Sequence, residues 1–185
     1  PAFHGWYIAP ENCFYSPGIV EVYKRYSGLM KELTPEKPVL ISPWYPSDVY
    51  MNETKEGRHA KFQEDWHRIF SEVQSVNIAA FQDGACTWKP LEQPATYELA
   101  DYIREIAGVT KEHGIELWNN AETFARNMPI KFPPIDWRVL KRKMEICDPY
   151  VAKHITFEFS HFMSPNSMYP SARTLYERYR EEILG

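Results

Sequence analysis

The sequence lacks the features that would assign it to several common classes of protein. Its three cysteines, Cys13, Cys86 and Cys147, lie far apart and form no CxxC pair, so they indicate neither a zinc knuckle nor a full disulfide framework. No apolar run approaches the roughly 20 residues that a membrane-spanning helix needs. The 21 basic and 25 acidic residues are mixed along the chain and give a net charge of -4. We therefore expect no nucleic-acid partner and no membrane span.

Glycine-rich phosphate-binding motifs are missing as well. The chain contains neither GxGxxG nor GxxxxGK[ST], so a nucleotide cofactor is not indicated, and we predict no cofactor. Aromatic residues are instead abundant, at 15% of the chain. Such a surplus suits a thick core, or a site that stacks flat ligands or the faces of sugars.

Strand-like and helix-like segments alternate five times along the chain. The predicted strands are 3–9, 37–45, 76–82, 115–119 and 150–160. The predicted helices are 17–33, 59–75, 96–113, 136–147 and 170–184. Ser16 before Pro17 is a typical helix start, Asp136 is a second N-cap, and Gly114 is a typical helix end. Consecutive βα units of this kind predict an α/β fold with a parallel sheet and right-handed crossovers.

Two architectures fit this alternation, a doubly wound open sheet and a (β/α)8 TIM barrel. The segments that follow the strands are long and polar, which favours the barrel, and the missing nucleotide motif weighs against the open sheet. A complete barrel needs eight units and about 250 residues. We therefore interpret residues 1–185 as a single barrel domain that holds only the last five units, strands four to eight.

Polar and aromatic side chains lie at or just beyond the end of each predicted strand, and parallel strands bring these positions to one end of a barrel. Glu11 and Glu122 are our candidate catalytic pair. The candidate substrate-binding residues are Trp44, Tyr45, Gln82, Asp83, Trp88, Asn119, Asn120, Glu158 and His161. Paired carboxylates are what glycosidic cleavage requires, since one donates a proton while the other attacks or stabilises positive charge. Aromatic rings and amides nearby suit a carbohydrate ligand.

The chain also resembles a bacterial family of unknown function with glycosidase-like barrels. The segments that carry the resemblance are "GWYIAPE", "KPVLISPWY", "NIAAFQDG", "ELWNNAETF" and "HITFEFSHFMSP", in this order over nearly the whole chain. The wider group, the clan-A retaining glycosidases, places its two catalytic glutamates after strands four and seven. The resemblance implies that Glu11 is the general acid/base, that Glu122 is the nucleophile, and that the protein is extracytoplasmic.

Other interpretations of these residues stay open. Glu122 also suits the start of a short helix, Asp83 before Gly84 is a common turn signal, and Trp44 lies in an apolar run typical of a core. A metal-dependent sugar isomerase is one alternative function, with ligands Glu11, Asp83, Glu122, Glu158 and His161. A non-catalytic carbohydrate-binding barrel is another.

Overall fold

Five parallel strands form one sheet in which spatial order follows chain order. The computed structural model describes residues 2–46, 53–83, 95–125 and 132–185. The strands are β1 (Trp6–Ile8), β2 (Val39–Ile41), β3 (Ile78–Gln82), β4 (Glu116–Glu122) and β5 (Lys153–Phe157). The helices are α1 (Pro17–Leu33), α2 (Lys55–Glu72), α3 (Ala95–Glu112), α4 (Trp137–Cys147), α5 (Phe159–Phe162) and α6 (Pro170–Tyr179). A π-helical turn, Arg180–Leu184, follows α6.

The strand order confirms the barrel-type fold and excludes the doubly wound alternative. A doubly wound sheet reverses its strand order at a switch point. Here β1 pairs with β2, β2 with β3, β3 with β4 and β4 with β5, each in parallel. Helices connect every consecutive pair of these strands. The described part of the chain is therefore a continuous βα array of the TIM-barrel type.

The two predicted N-caps and the predicted glycine helix end are confirmed by their hydrogen bonds and backbone conformation. Ser16 Oγ accepts a hydrogen bond from the Ile19 amide at the start of α1. Asp136 Oδ1 does the same for the Arg138 amide at the start of α4. Gly114 has a φ of +66°, in the left-handed region that favours glycine. α2 differs from the prediction and begins at Lys55, since Thr54 accepts from the Gly57 amide there.

The larger core lies between one face of the sheet and the helices. Trp66 of α2 packs edge-to-face on Phe81 of β3, with the ring centroids 4.9 Å apart. Phe62, Trp66 and Phe81 are completely buried, and burial of each such ring stabilises the fold by about 1.5–3 kcal/mol. We call the face of the sheet that packs against the helices the helix-facing side. The opposite, inner side carries a smaller apolar cluster around Ile78, Ala80 and Trp118.

Two strands differ in length from their predictions, and both differences matter for the site. β4 runs three residues beyond the predicted end at 119, so Glu122 is its last residue rather than part of a loop. β5 ends at Phe157 instead of continuing to 160, because Glu158 becomes the N-cap of the short helix α5. Within the described ranges, no helix combines the length and apolarity that crossing a membrane requires.

Candidate active site

A cavity of about 580 Å³ lies where the inner side of the sheet meets the ends of its strands. Gln82, Glu122 and Phe157 are the last residues of β3, β4 and β5, and all three line it. Glu11, which follows β1, lines the same cavity. The other lining residues are Tyr7, Leu40, Ser42, Asn120, Phe124, Phe132, Ile155 and Thr156. Both candidate catalytic glutamates therefore contribute to one cavity.

Strand alternation decides which residues of β4 reach this cavity. Asn120 and Glu122, two positions apart, both line it. Asn119, which precedes Asn120, and Ala121, which separates Asn120 from Glu122, point to the helix-facing side. Both are fully buried there. The prediction that Asn119 binds a ligand directly is therefore wrong in this structure, whereas Asn120 lies where the prediction requires.

The main chain of Glu122 is held by hydrogen bonds to two other residues. Its side chain faces the cavity, yet the residue is only 5% exposed. Its amide donates to Asp83 Oδ1 at 3.0 Å, and its carbonyl accepts from Lys143 Nζ at 2.7 Å. The direction of the Glu122 Cα–Cβ bond is therefore constrained by contacts on both sides of the Cα atom.

Asp83 does not reach the cavity, which corrects its prediction as a sugar contact. It is fully buried and forms an ion pair with the equally buried Lys143 of α4, with 2.6 Å between Oδ1 and Nζ. Its second oxygen accepts from Asn119 Nδ2 at 3.3 Å, and Asn119 Nδ2 also lies 3.2 Å from His154 Nδ1. A buried carboxylate needs such partners, since burial of an unpaired charge is very costly.

Sequence reasoning missed Lys143, although the sequence does contain a signal. The buried stripe of α4 is Trp137, Leu140, Lys143 and Cys147, spaced three or four residues apart. A lysine within an apolar helical stripe is rare unless it is paired. This position therefore predicts a buried acid opposite it.

Glu11 lies in a more open environment than Glu122. It is exposed, and its charge acts on Tyr7, the central residue of β1. Burial raises the pKa of the Tyr7 phenol, the Glu11 charge raises that pKa further, and a hydrogen bond with Ser42 opposes them. Tyr7 was not predicted as a site residue, although alternation in β1 places it opposite in direction to its neighbours Trp6 and Ile8.

One of the two polar atoms of the Asn120 side chain has a hydrogen-bond partner among the described residues, and the other has none. Its Nδ2 donates to Ser42 Oγ at 2.9 Å, and Ser42 Oγ in turn donates to the Ala80 carbonyl at 2.8 Å. Among the described residues, Asn120 Oδ1 has no hydrogen-bond partner, although the residue is only 7% exposed. Leaving a buried acceptor unsatisfied costs about 1–3 kcal/mol.

Aromatic rings form one wall of the cavity. Phe124 packs edge-to-face on Phe132, with centroids 5.1 Å apart, and contacts Phe157 at 6.3 Å. Gln82 also lines the cavity, and its Nε2 donates to the Ser42 carbonyl at 2.8 Å. The cavity thus combines apolar rings with amides and two carboxylates.

The remaining predicted ligand contacts lie elsewhere in the structure or outside its description. Tyr45 is fully buried on the helix-facing side, stacked on Phe81 at 5.3 Å and on Tyr102 at 5.5 Å, so it is a core residue and its prediction is wrong. Trp44 is half-buried, and it does not belong to the cavity lining that the structure describes. Trp88 lies outside the described residues.

Glu158 and His161 form a local cap rather than part of the cavity wall. The Glu158 carboxylate accepts from the His161 amide at 2.7 Å and from the Ser160 amide at 3.2 Å. His161 Nδ1 lies 2.5 Å from the same carboxylate. Although burial pushes the pKa of Glu158 upward, these donors outweigh it and hold the pKa below its usual value. Glu158 and His161 therefore bond each other at the start of α5, and their prediction as ligand contacts is corrected.

The four acids and the one histidine of the metal-isomerase hypothesis are not gathered into one site. Asp83 is paired with Lys143, while Glu158 is paired with His161. In the described ranges, no group of three or more His, Cys, Asp or Glu side chains is arranged to hold a metal ion. The two acids that do share the cavity are Glu11 and Glu122.

Comparison with known proteins gives a family and a set of structural neighbours. The family described as "Domain of unknown function (DUF4434)" matches residues 1–169. No curated protein matches the chain at a significant level. A crystal structure from Bacteroides thetaiotaomicron VPI-5482, described as "a putative alpha-L-fucosidase", is 33% identical with a TM-score of 0.84. The alignment covers 97% of this chain and 56% of that one, so this chain spans about half the length of that neighbour.

Two more distant neighbours share the fold. The endo-1,4-beta-D-mannanase of Thermotoga petrophila RKU-1 is 14% identical with a TM-score of 0.53, over 88% of this chain and 51% of that one. The beta-D-glucuronidase of Dictyoglomus thermophilum is 15% identical with a TM-score of 0.54, over 98% of this chain and 32% of that one. At such identities the likeness concerns the barrel-type fold alone, because one fold hosts many functions.

Proposed function

We propose that this chain, which belongs to the DUF4434 family, carries the carboxylate pair of a retaining glycoside hydrolase. The observation that supports this most directly is that Glu11 and Glu122, remote in sequence, line one cavity of the size that binds small ligands. Five βα units with Glu11 after the first strand and Glu122 at the end of the fourth would correspond to strands four to eight of a whole barrel.

In the proposed reaction Glu11 begins as the general acid and Glu122 as the nucleophile. Glu122 attacks the anomeric carbon, the bond from that carbon to the glycosidic oxygen breaks, and Glu11 gives its proton to the departing oxygen. A glycosyl ester on Glu122 results. Glu11, now a carboxylate, then takes a proton from water, the water oxygen attacks the anomeric carbon, and the ester bond to Glu122 breaks.

The different environments of the two acids suit these two roles. Glu122 is nearly buried with its main chain fixed, which favours a nucleophile that must meet one carbon atom in one orientation. Glu11 is exposed, so the water of the second step can reach it from solvent. Tyr7 lies within the reach of the Glu11 charge and lines the same cavity.

The rest of the cavity suits a carbohydrate. Asn120 Oδ1 is a buried acceptor that a sugar hydroxyl would satisfy, and Gln82 offers a second amide. The rings of Phe124, Phe132 and Phe157 offer apolar faces against which the C–H groups of a sugar can pack. The neighbour described as a fucosidase makes aryl alpha-L-fucosides the first substrates to test.

Turnover of aryl glycosides by the purified protein tests the proposal. The panel should contain alpha-L-fucosides, beta-mannosides and beta-glucuronides, each with a chromogenic leaving group. We expect turnover of at least one, lost in Glu122→Gln and retained in Glu36→Gln, a control at an exposed glutamate in the connection between α1 and β2. A folded wild-type protein that binds a sugar without turning it over would contradict the hydrolase and favour a carbohydrate-binding barrel.

A further inference from the structure

We propose that Asp83 and Lys143 are positioning residues that act through the main chain of Glu122. The inference rests on the proposed function only for its effect on catalysis, since the geometry itself is independent of the reaction. Asp83 Oδ1 accepts from the Glu122 amide at 3.0 Å, and Lys143 Nζ donates to the Glu122 carbonyl at 2.7 Å. The two side chains bond each other at 2.6 Å, so the three residues form a closed ring that we call the Glu122 clamp.

The clamp occupies the place where regular strand pairing gives way to side-chain contacts. The Asp83 amide donates to the Asn120 carbonyl at 3.2 Å, which continues the β3–β4 ladder by one bond. In a regular parallel ladder the Glu122 amide would next donate to the Asp83 main-chain carbonyl. The Asp83 carboxylate takes that bond instead, and Lys143 takes the Glu122 carbonyl on the same side. Two side chains thus complete the ladder for this one residue.

Burial makes the clamp rigid. Asp83 and Lys143 are both 0% exposed, so neither can exchange its partner for water. Asn119 Nδ2 donates to the second Asp83 oxygen at 3.3 Å, which fixes the carboxylate plane. Because the Glu122 amide and carbonyl are both bound, rotation of its backbone is restricted, and with it the direction of the Cα–Cβ bond from which the side chain reaches the cavity.

A purely structural ion pair would behave differently from a positioning clamp. A buried pair that serves stability alone can be replaced by apolar side chains of similar size without loss, whereas removal of one partner leaves an unpaired buried charge. The double variant Asp83→Val with Lys143→Met removes both charges and both hydrogen bonds to the Glu122 main chain. The fold is therefore expected to tolerate the double variant better than Lys143→Met alone, while the constraint on Glu122 is gone.

Steady-state kinetics of the double variant give the first test. We expect kcat to fall about 100-fold with KM changed by less than about threefold, because a small misplacement of a reacting group costs rate rather than binding. Glu105→Gln is the matched control, since it disrupts the His59–Glu105 contact of 2.7 Å between α2 and α3, which does not belong to the cavity lining. Its kcat should stay at the wild-type value. A double variant with restored stability and wild-type kcat would overturn the proposal.

Chemical rescue provides a second kinetic test that isolates the path through Glu122. Azide replaces the carboxylate as nucleophile in Glu122→Ala, so the clamp has no side chain left to position. Adding Asp83→Val and Lys143→Met to Glu122→Ala should then change the azide-rescued rate by less than about threefold, since effects through one residue are not additive. A further 100-fold loss in that background would show that the pair acts by another route and would contradict the clamp.

Amide hydrogen exchange tests the clamp even if the protein hydrolyses no glycoside. The Glu122 amide donates to the Asp83 side chain, whereas the neighbouring Thr123 amide donates to the Phe157 carbonyl at 3.0 Å within the ladder. In the double variant we expect exchange at Glu122 to accelerate at least tenfold while Thr123 stays protected. Equal protection of both amides in the double variant would refute the clamp. Absence of turnover in the wild type would instead refute the proposed function.

Discussion

Two neighbouring strands, β4 and β5, each end next to a glutamate, and the structure uses the two acids in opposite ways. Glu122 closes β4 with its main chain held by Asp83 and Lys143, so its side chain is left to face the cavity. Glu158 follows β5 and turns its carboxylate back onto the amides of His161 and Ser160. Of these two acids, the one that lines the cavity is the one whose backbone is bonded by other side chains, whereas the other bonds the backbone itself.

Removal of the Glu122 carboxylate is the largest expected effect. We predict that Glu122→Gln lowers kcat by on the order of 10³-fold or more, because loss of a nucleophile removes the reaction path itself. Turnover of the best aryl glycoside measures this, with circular dichroism to confirm the fold. The same change at the other strand end, Glu158→Gln, should leave kcat unchanged. Similar losses in both variants would abolish the contrast between β4 and β5.

Breaking the buried ion pair beside the end of β4 should strongly lower the stability of the protein. We predict that Lys143→Met lowers the free energy of unfolding by about 3–5 kcal/mol, because it leaves the fully buried Asp83 carboxylate without its cation. Urea denaturation measures the change. Lys141→Met is the surface control on the same helix, because its contact with Glu182 is exposed and should contribute little to stability. Equal losses in the two variants would contradict the special role of the buried pair.

The unsatisfied acceptor of Asn120 predicts a smaller effect on substrate recognition. Asn120→Ala removes a hydrogen bond to a sugar hydroxyl, so kcat/KM should fall about tenfold, the equivalent of about 1.4 kcal/mol. The effect should disappear with a substrate that lacks the hydroxyl in question, which a series of deoxy glycosides would identify. A uniform loss across that whole series would show that Asn120 has only a structural role.

The cap at β5 predicts the smallest effect, and a pH dependence. The pKa of Glu158 lies below its usual value in the folded protein. Its contribution to stability is therefore complete above the pKa of an unfolded glutamate, and it is lost as the pH falls through the lowered folded value. Glu158→Gln should therefore lower stability by at most about 1 kcal/mol at pH 7. The difference in Tm between the two proteins should vanish in acid. A difference that grew in acid would contradict the cap.

Much of the fold was predictable because local signals and burial agree. Ser16 and Pro17 start a helix, Asp136 starts another, and the parallel strands read as short apolar runs. The end of β4 was not predictable from local preference, since two asparagines and a glutamate disfavour a strand. They are accommodated because Asn119 bonds Asp83 and Asn120 bonds Ser42, which are contacts across the sheet.

The candidate site was predictable in outline only. Strand ends indicated Glu11, Gln82, Asn120 and Glu122, and all four line the cavity. Tyr45 was misassigned because an aromatic residue just after a strand fits a core equally well. Lys143 was missed because its partner Asp83 lies in a different βα unit, and only the folded sheet brings α4 over the end of β3.

The identity of the residue that becomes covalently glycosylated tests the central claim most directly. A 2-deoxy-2-fluoro glycoside with a good leaving group slows the second step of a retaining hydrolase and traps the glycosyl ester, which peptide mass spectrometry can locate. We predict a label on the peptide that contains Glu122 in the wild-type protein, and none at that position in Glu122→Gln. A label on a different carboxylate, or turnover that persists in Glu122→Gln, would contradict the assignment of Glu122 as the nucleophile.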